Sequence, residues 1–327
     1  MRRIWFSLVL ISLVVLLGVF FLATQTGKQK PSLTNSKTQP TTEKIKLGKS
    51  INPVFALPID IAQKKKIFEK HDLEVEVQAV PGAIADSLIS GKVEYFVEGI
   101  STFLSSATKG SGIKWFATVE QVEPYYLISK KPKDQIKKVG VLRIAGEDNY
   151  HAMVTLDAFG IDPKTIQFVP LGSYEAKYPS LLNGSVDAVG FPPLPVFLKL
   201  EEQFKKDGVS VLIKLAETKD AYYPSALVAL DKTLNSKKDA SNRLAKALEE
   251  SVQYARSNRE EVLGYLINDY KLSRQEAEEI YDKNFMPATT NLDPKPRVEL
   301  VKKILEFISL QDETAKSFKA GDFIFEI

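Results

Sequence analysis

Cysteine is absent from the 327 residues, and histidine is limited to His71 and His151. The first absence removes thiol nucleophiles, disulfide staples and cysteine-ligated zinc. The scarcity of histidine removes a histidine-rich metal site. An excess of one charge is missing too: 44 Lys and Arg stand against 41 Asp and Glu, and the lysines are scattered among the acids. Such a balance leaves no nucleic-acid footprint and no long-range field to steer strongly charged ligands. What remains is a globular binding protein or an enzyme working with carboxylates and hydroxyls. A chain of 327 residues is long for one core and suits two lobes.

One long apolar run is present. Ile4 to Ala23 is uncharged, rich in Leu, Val, Ile and Phe, and follows Arg2 and Arg3. At about 1.5 Å per helical residue it matches a hydrocarbon layer ~30 Å thick. The leading arginines favour a cytoplasmic N-terminus and an exported remainder. Residues 1–27 are therefore expected to be a transmembrane anchor or a secretory signal. The anchor is favoured, because a signal core is usually only ~7–15 residues long and Ala23 to Gly27 offer no clear cleavage site. Residues 28–43 hold three lysines, two prolines and one aliphatic residue, Leu33, and read as a disordered linker.

From Lys44 onward strands and helices alternate. Periodicity predicts strands at 45–50, 73–80, 93–97 and 114–119, a turn at 51–58, and helices at 59–70, after Pro81-Gly82, and at 101–109. A second series follows a 130–134 linker, with strands at 138–144, 165–171, 186–191 and 209–215 and helices at 149–159, 174–182 and 196–206. A further strand at 224–230 precedes helices only, one of them opened by a Ser273/Glu276 capping box. Repeats of this kind build open, mostly parallel α/β sheets with right-handed crossovers. The expected organisation is lobe one at 44–131, lobe two at 132–221 and a return to lobe one at 222–327. Passages near Ser129 to Pro132 and Thr218 to Tyr223 would join the lobes, forming a hinge with a cleft at the strand C-termini.

Several phrases recur in a fixed order. Phe68-Glu-Lys-His-Asp-Leu-Glu-Val-Glu-Val77 is followed by Gly82, Leu88-Ile-Ser-Gly-Lys-Val-Glu94 and the Gly110 to Ile113 loop. Gly140-Val141, Ala145-Gly146, Phe159-Gly-Ile-Asp162 and Leu182-Asn-Gly-Ser-Val-Asp-Ala188 come next, with Pro192 and Pro195. The set resembles type II periplasmic solute-binding proteins of ABC importers, in the sulfonate/nitrate/thiamine-precursor-binding (thiamine-pyrimidine-synthase-like) group. Three departures stand out. Asp72 replaces a usual glycine at a helix end, where a left-handed residue is expected. Lys137-Lys138 replaces a glycine-containing turn, and Glu147-Asp148-Asn149-Tyr150 stands where relatives often carry small hydroxyl residues.

The resemblance implies a ligand gripped by loops that follow strands, aided by helix N-terminal amides. The candidate ligand-binding residues are accordingly Asn52, Phe55, Glu98, Ser101, Thr102, Gln121, Gly146, Asn149, Tyr150, Ser173, Tyr174 and Pro192. Each has a plainer alternative. Ser101, Thr102 and Asp148 serve equally well as helix caps, Tyr174 pairs with Tyr178 at i,i+4, and Phe55 and Phe191 fit a core. His71, ending a helix, reads as structural, and His151 as a surface or cleft-edge residue. Tyr222 and Tyr223 sit where they could support the hinge.

Glu98, Glu120, Glu147 and Asp148 cluster at the expected cleft ends of strands, with Arg143 the only nearby arginine. That pattern disfavours a simple anion. It favours a neutral or cationic organic ligand, such as a thiamine-precursor pyrimidine, whose N–H donors meet carboxylates. The resulting expectation is a monomeric, extracytoplasmic substrate-binding component that delivers a small molecule to a membrane permease, without cofactor, metal or nucleic acid. An enzyme on the same fold, of the thiamine-pyrimidine or menaquinone type, and an extracellular sensing module are the alternatives.

Overall fold

The computed structural model describes residues 42–50, 53–192, 200–218 and 222–327. The expected anchor, nearly all of the expected linker, Asn52 and Pro195 lie outside the described residues. Among the described residues no helix is long and apolar enough to cross a membrane. Residues 42–327 form one compact unit.

Among the described residues, ten strands make two five-stranded sheets. The first contains β1 (Glu43–Lys49), β2 (Leu73–Ala79), β3 (Tyr95–Gly99), β4 (Ile113–Glu120) and β10 (Ser225–Leu230), in the order β2-β1-β3-β10-β4. The second contains β5 (Tyr126–Ser129), β6 (Lys138–Val141), β7 (Gln167–Pro170), β8 (Ala188–Phe191) and β9 (Ser210–Lys214), in the order β7-β6-β8-β5-β9. The two orders are equivalent: in each sheet the fourth position is filled by the strand arriving from the other lobe. Those incoming strands, β10 and β5, run antiparallel to both neighbours, while the first three strands of each sheet pair in parallel. Each sheet is therefore mixed, with four strands running one way and one against them. A strand that enters directly from the other lobe needs no crossover helix, so nothing imposes parallel pairing on it.

The first lobe crossing also differs from expectation. It lies at 121–125, and β5 already belongs to the second sheet, so the chain changes lobes before residue 131. The Tyr126–Ser129 stretch lacks the alternation that marks a half-buried strand because all four residues are buried. The two crossings are bonded to each other: Val122 and Tyr223 form a parallel bridge, and the Glu123 amide donates to the Tyr223 carbonyl at 2.7 Å.

The expected turn at 51–58 is largely a helix, Pro53–Lys64, with Pro58 inside it. Proline at the helix start has no donor to lose. Ala56, Leu57, Ile59 and Ile61 bury their side chains in the core, and that burial offsets the hydrogen bond Pro58 forfeits. Asp72 is left-handed as expected, at φ 53°, and His71 bonds Glu250 at 2.8 Å. Two apolar clusters fill the interior, each drawing on both sheets. Leu244, Leu248, Val252 and Ala255 of the Lys238–Ser257 helix recur at helical spacing and enter one cluster. Val301, Ile304 and Ile308 of the Val298–Ser309 helix enter the other.

Candidate functional site

The strand C-termini of the two sheets converge on one junction. From the first sheet come Glu98 and Gly99 at the end of β3, the start of the Ile100–Ala107 helix, and Glu120 at the end of β4. The crossings add Glu123, Tyr125 and Tyr223, and β10 begins with Ser225. The second sheet answers with the first turn of the Glu147–Ala158 helix, with Tyr174 and Lys177, and with Gly190 and Phe191 of β8.

Glu147 joins the two lobes. One carboxylate oxygen, Oε2, accepts from the Thr102 amide at 2.8 Å, from Ser101 Oγ at 2.7 Å and from Thr102 Oγ1. Its other oxygen, Oε1, accepts from the Tyr223 hydroxyl. A carboxylate from lobe two thus caps a helix of lobe one and meets the positive end of its dipole. Gly99 is a glycine for a steric reason: a Cβ there would collide with the Glu147 and Glu123 carboxylates. The expected helix at 149–159 starts two residues earlier, and that first turn is what aims Glu147 across the junction.

Three further glutamates lie behind it, and all are buried. Ser225 Oγ is 2.9 Å from Glu120 Oε2 and 2.9 Å from Glu123 Oε1. A hydroxyl has a single proton to donate, so one of those two contacts requires a protonated carboxyl. Burial pushes the carboxyls of Glu98 and Glu120 up to about 8, with the Glu147 charge adding to the effect at Glu98. Glu123 is raised well above the usual range by the same causes, burial first and the neighbouring glutamates second. Glu120 Oε1 is buried without a hydrogen-bond partner.

Asp148, the neighbour of Glu147, is a different kind of acid. Lys177 Nζ and the Tyr125 hydroxyl donate to its Oδ1 at 2.6 and 2.7 Å, and the Leu142 amide donates to Oδ2 at 2.8 Å. Lys177 is fully buried, with Nζ 4.9 Å from the ring centre of Tyr174 and 5.2 Å from that of Phe191. A Cβ on Gly190 would strike Tyr125, so glycine there admits the ring. This pair is satisfied and structural. His151, expected near the surface, is only 4% exposed and stacked between Tyr125 at 4.3 Å and Tyr223 at 4.2 Å. Desolvation lowers its pKa to about 3, so the ring is neutral.

The junction therefore brings together Glu98, Ser101 and Thr102 of the candidate residues, with Gly146 as the cap position just before Glu147. Tyr174 borders it through Phe191 and Lys177, and Pro192 is buried directly after Phe191. Asn149 is buried, with Oδ1 accepting from the Ala145 amide and Nδ2 unpartnered. Others are engaged elsewhere. Gln121 bonds Ala288 and Asn291, Phe55 belongs to the core, and Tyr150 packs in the other cluster. Ser173 caps its helix through the Ala176 amide at 3.3 Å. Glu123, Tyr125, Lys177 and Ser225 were not anticipated. Only the Glu123–Pro124–Tyr125 break after β4 hints that the chain leaves the sheet there.

A family model described as NMT1/THI5 like matches residues 52–262. No curated protein matches the chain. Among solved structures, the fold is similar to the periplasmic aliphatic sulphonate-binding protein SsuA of Escherichia coli, with TM-score 0.67 and 16% identity over 86% of this chain and 92% of that one. A putative sulfonate-binding SsuA of Methylobacillus flagellatus gives TM-score 0.67 at 14% identity, over 87% and 92%. The periplasmic nitrate-binding protein NrtA of Synechocystis gives 0.58 at 15%, over 85% of each. These likenesses establish the periplasmic-binding-protein fold.

Proposed function

The chain belongs to the NMT1/THI5-like family, and from that premise we propose that it is the extracytoplasmic substrate-binding component of an ABC importer. It takes a small organic molecule between its lobes and passes it to a permease, as a receptor and not as an enzyme. The N-terminal apolar run tethers it to the membrane, which keeps its local concentration near the permease high. Closure around a ligand requires contacts from both lobes, because only a ligand with higher affinity for the closed form shifts the balance.

The observation that carries this reading is the Glu147 contact. It spans the two lobes where two backbone crossings meet, the Glu147 side chain accepting from the Thr102 amide and from the Ser101 and Tyr223 hydroxyls. The same contact bears on the ligand. The structural neighbours are described as binding sulfonates or nitrate. In this chain the helix N-terminus at Ser101 and Thr102 is already occupied by a carboxylate, with Glu98, Glu120 and Glu123 behind it. An anion would have to displace Glu147 and enter among acids. A neutral or cationic heterocycle of the thiamine-precursor pyrimidine type meets those carboxylates with N–H donors instead.

Mass spectrometry of the full chain under native conditions identifies any copurified molecule, and calorimetric titration measures its affinity. The expected result is a nitrogen heterocycle or organic amine bound one per chain and released unchanged. Tight binding of nitrate or taurine without heterocycle binding overturns the ligand class, and turnover of the bound molecule overturns the receptor role.

A further inference from the structure

The acids of the junction include one trio that is not purely acidic. Ligand atoms of Glu123, Glu147 and His151 lie within 4.8 Å of one another. His151 Nε2 is 3.1 Å from the Glu123 carbonyl oxygen, which can only accept, so Nε2 carries the ring hydrogen. Nδ1 is then the lone-pair nitrogen, and it faces Glu123 Oε2 at 4.0 Å. Once Glu123 is ionised, Nδ1 and Oε2 are two acceptors facing each other in a buried place. The stacking of Tyr125 and Tyr223 holds the ring in that orientation, and the Tyr223 hydroxyl fixes Glu147 Oε1.

We propose that Glu123, Glu147 and His151 bind a divalent transition-metal cation of the zinc class. The donor set of one imidazole and two carboxylates, without thiolate, suits Zn2+ and excludes soft monovalent copper. Metal–ligand bonds of about 2.0–2.2 Å separate tetrahedral ligand atoms by roughly 3.5 Å, so Nδ1 and Oε2 need to approach by only a fraction of an ångström. The backbone carbonyl on Nε2 and the tyrosine hydroxyl on Glu147 are the outer partners that orient metal ligands. A separate observation points the same way. Glu120, joined to Glu123 through Ser225, keeps a buried oxygen without a partner. Among the described residues, no lysine or arginine forms an ion pair with Glu98, Glu120, Glu123 or Glu147, and Lys177 is committed to Asp148. A divalent cation supplies the missing positive charge.

This inference uses the same junction as the receptor reading but does not depend on which organic molecule is carried. The test takes the full chain, purified in mild detergent and stripped with a chelator, and titrates it calorimetrically with zinc chloride. One ion per chain is expected, with a single imidazole in its X-ray absorption spectrum. The isosteric Glu123→Gln chain, checked for folding by circular dichroism, is expected to bind at least tenfold more weakly. Absence of binding at millimolar zinc, a spectrum without imidazole, or an unchanged affinity in Glu123→Gln overturns the proposal. If zinc fails while a heterocycle copurifies, the receptor reading stands alone; the spectrum of the unmodified chain remains decisive should the variant not fold.

Discussion

The two lobes share one strand order yet treat their buried acids in opposite ways. In lobe two, Asp148 meets a lysine ammonium, a tyrosine hydroxyl and a backbone amide within 2.8 Å. At the lobe-one side, Glu98, Glu120 and Glu123 share serine hydroxyls and have no paired cation among the described residues. A buried charge with all its partners is a structural element, whereas uncompensated carboxyls hold protons or await a cation. The acids without a cation among the described residues thus lie on the lobe-one side.

The largest effect is expected at Lys177. Lys177→Met strands Asp148 in the interior, and unfolding in urea is expected to report a loss of about 3–5 kcal/mol. A loss below about 1 kcal/mol would make the lobe-two acid no better paired than those of lobe one. Glu147→Gln keeps one acceptor oxygen but gives up the charge on the lobe-one helix, and it should cost about 1.5–3 kcal/mol. Small-angle scattering should then record more separated lobes, and an unaltered scattering profile would mean that Glu147 does not hold them.

The pH response separates the lobes as well. Glu98 and Glu120 titrate near about 8 in the folded chain, far above an unfolded glutamate at about 4.3. The folded state then binds more protons than the unfolded one, so stability falls as pH rises toward and through 8. His151 works in the opposite direction, its stability contribution being lost as pH falls from about 6.5 toward 3. The window from pH 6.5 to 8.5 therefore isolates the glutamates. Melting of the ligand-free chain should drop across it, and Glu120→Gln should recover about 2–4 °C at pH 8, equivalent to roughly 1 kcal/mol. A flat profile would mean that these acids are already ionised and compensated. Ser173→Ala gives a similarly small effect, about 1 kcal/mol for a lost cap, with ligand affinity unchanged. A fall in affinity would return Ser173 to the binding residues.

Much of this was legible from local pattern. The central strands could be read because runs such as 93–97 and 224–230 are mostly apolar, and the Ser273/Glu276 capping box forms as its spacing requires. The concentration of Glu98, Glu120 and Glu147 at strand ends was equally visible, since each follows a β-run and a cleft lies at strand C-termini. Glu123 was not, because the only local signal, Pro124 after it, marks a break in the strand and not its passage to the other sheet. His151 misled for a related reason: a polar residue in the first turn of a helix reads as exposed, and its burial depends on Tyr125 and Tyr223 closing over it.

By itself the sequence determined the alternation of strands and helices, the doubled α/β plan and the acidity of the strand ends, since these follow from periodicity and residue type within a few positions. Only the tertiary structure decided which acid has a cation, that β5 and β10 run antiparallel, and that Glu147 caps a helix of the other lobe. Ser225 reaches Glu123 across 102 residues of chain and Lys177 reaches Asp148 across 29. Burial and Coulomb energy act on those distances in space, and no local pattern encodes them.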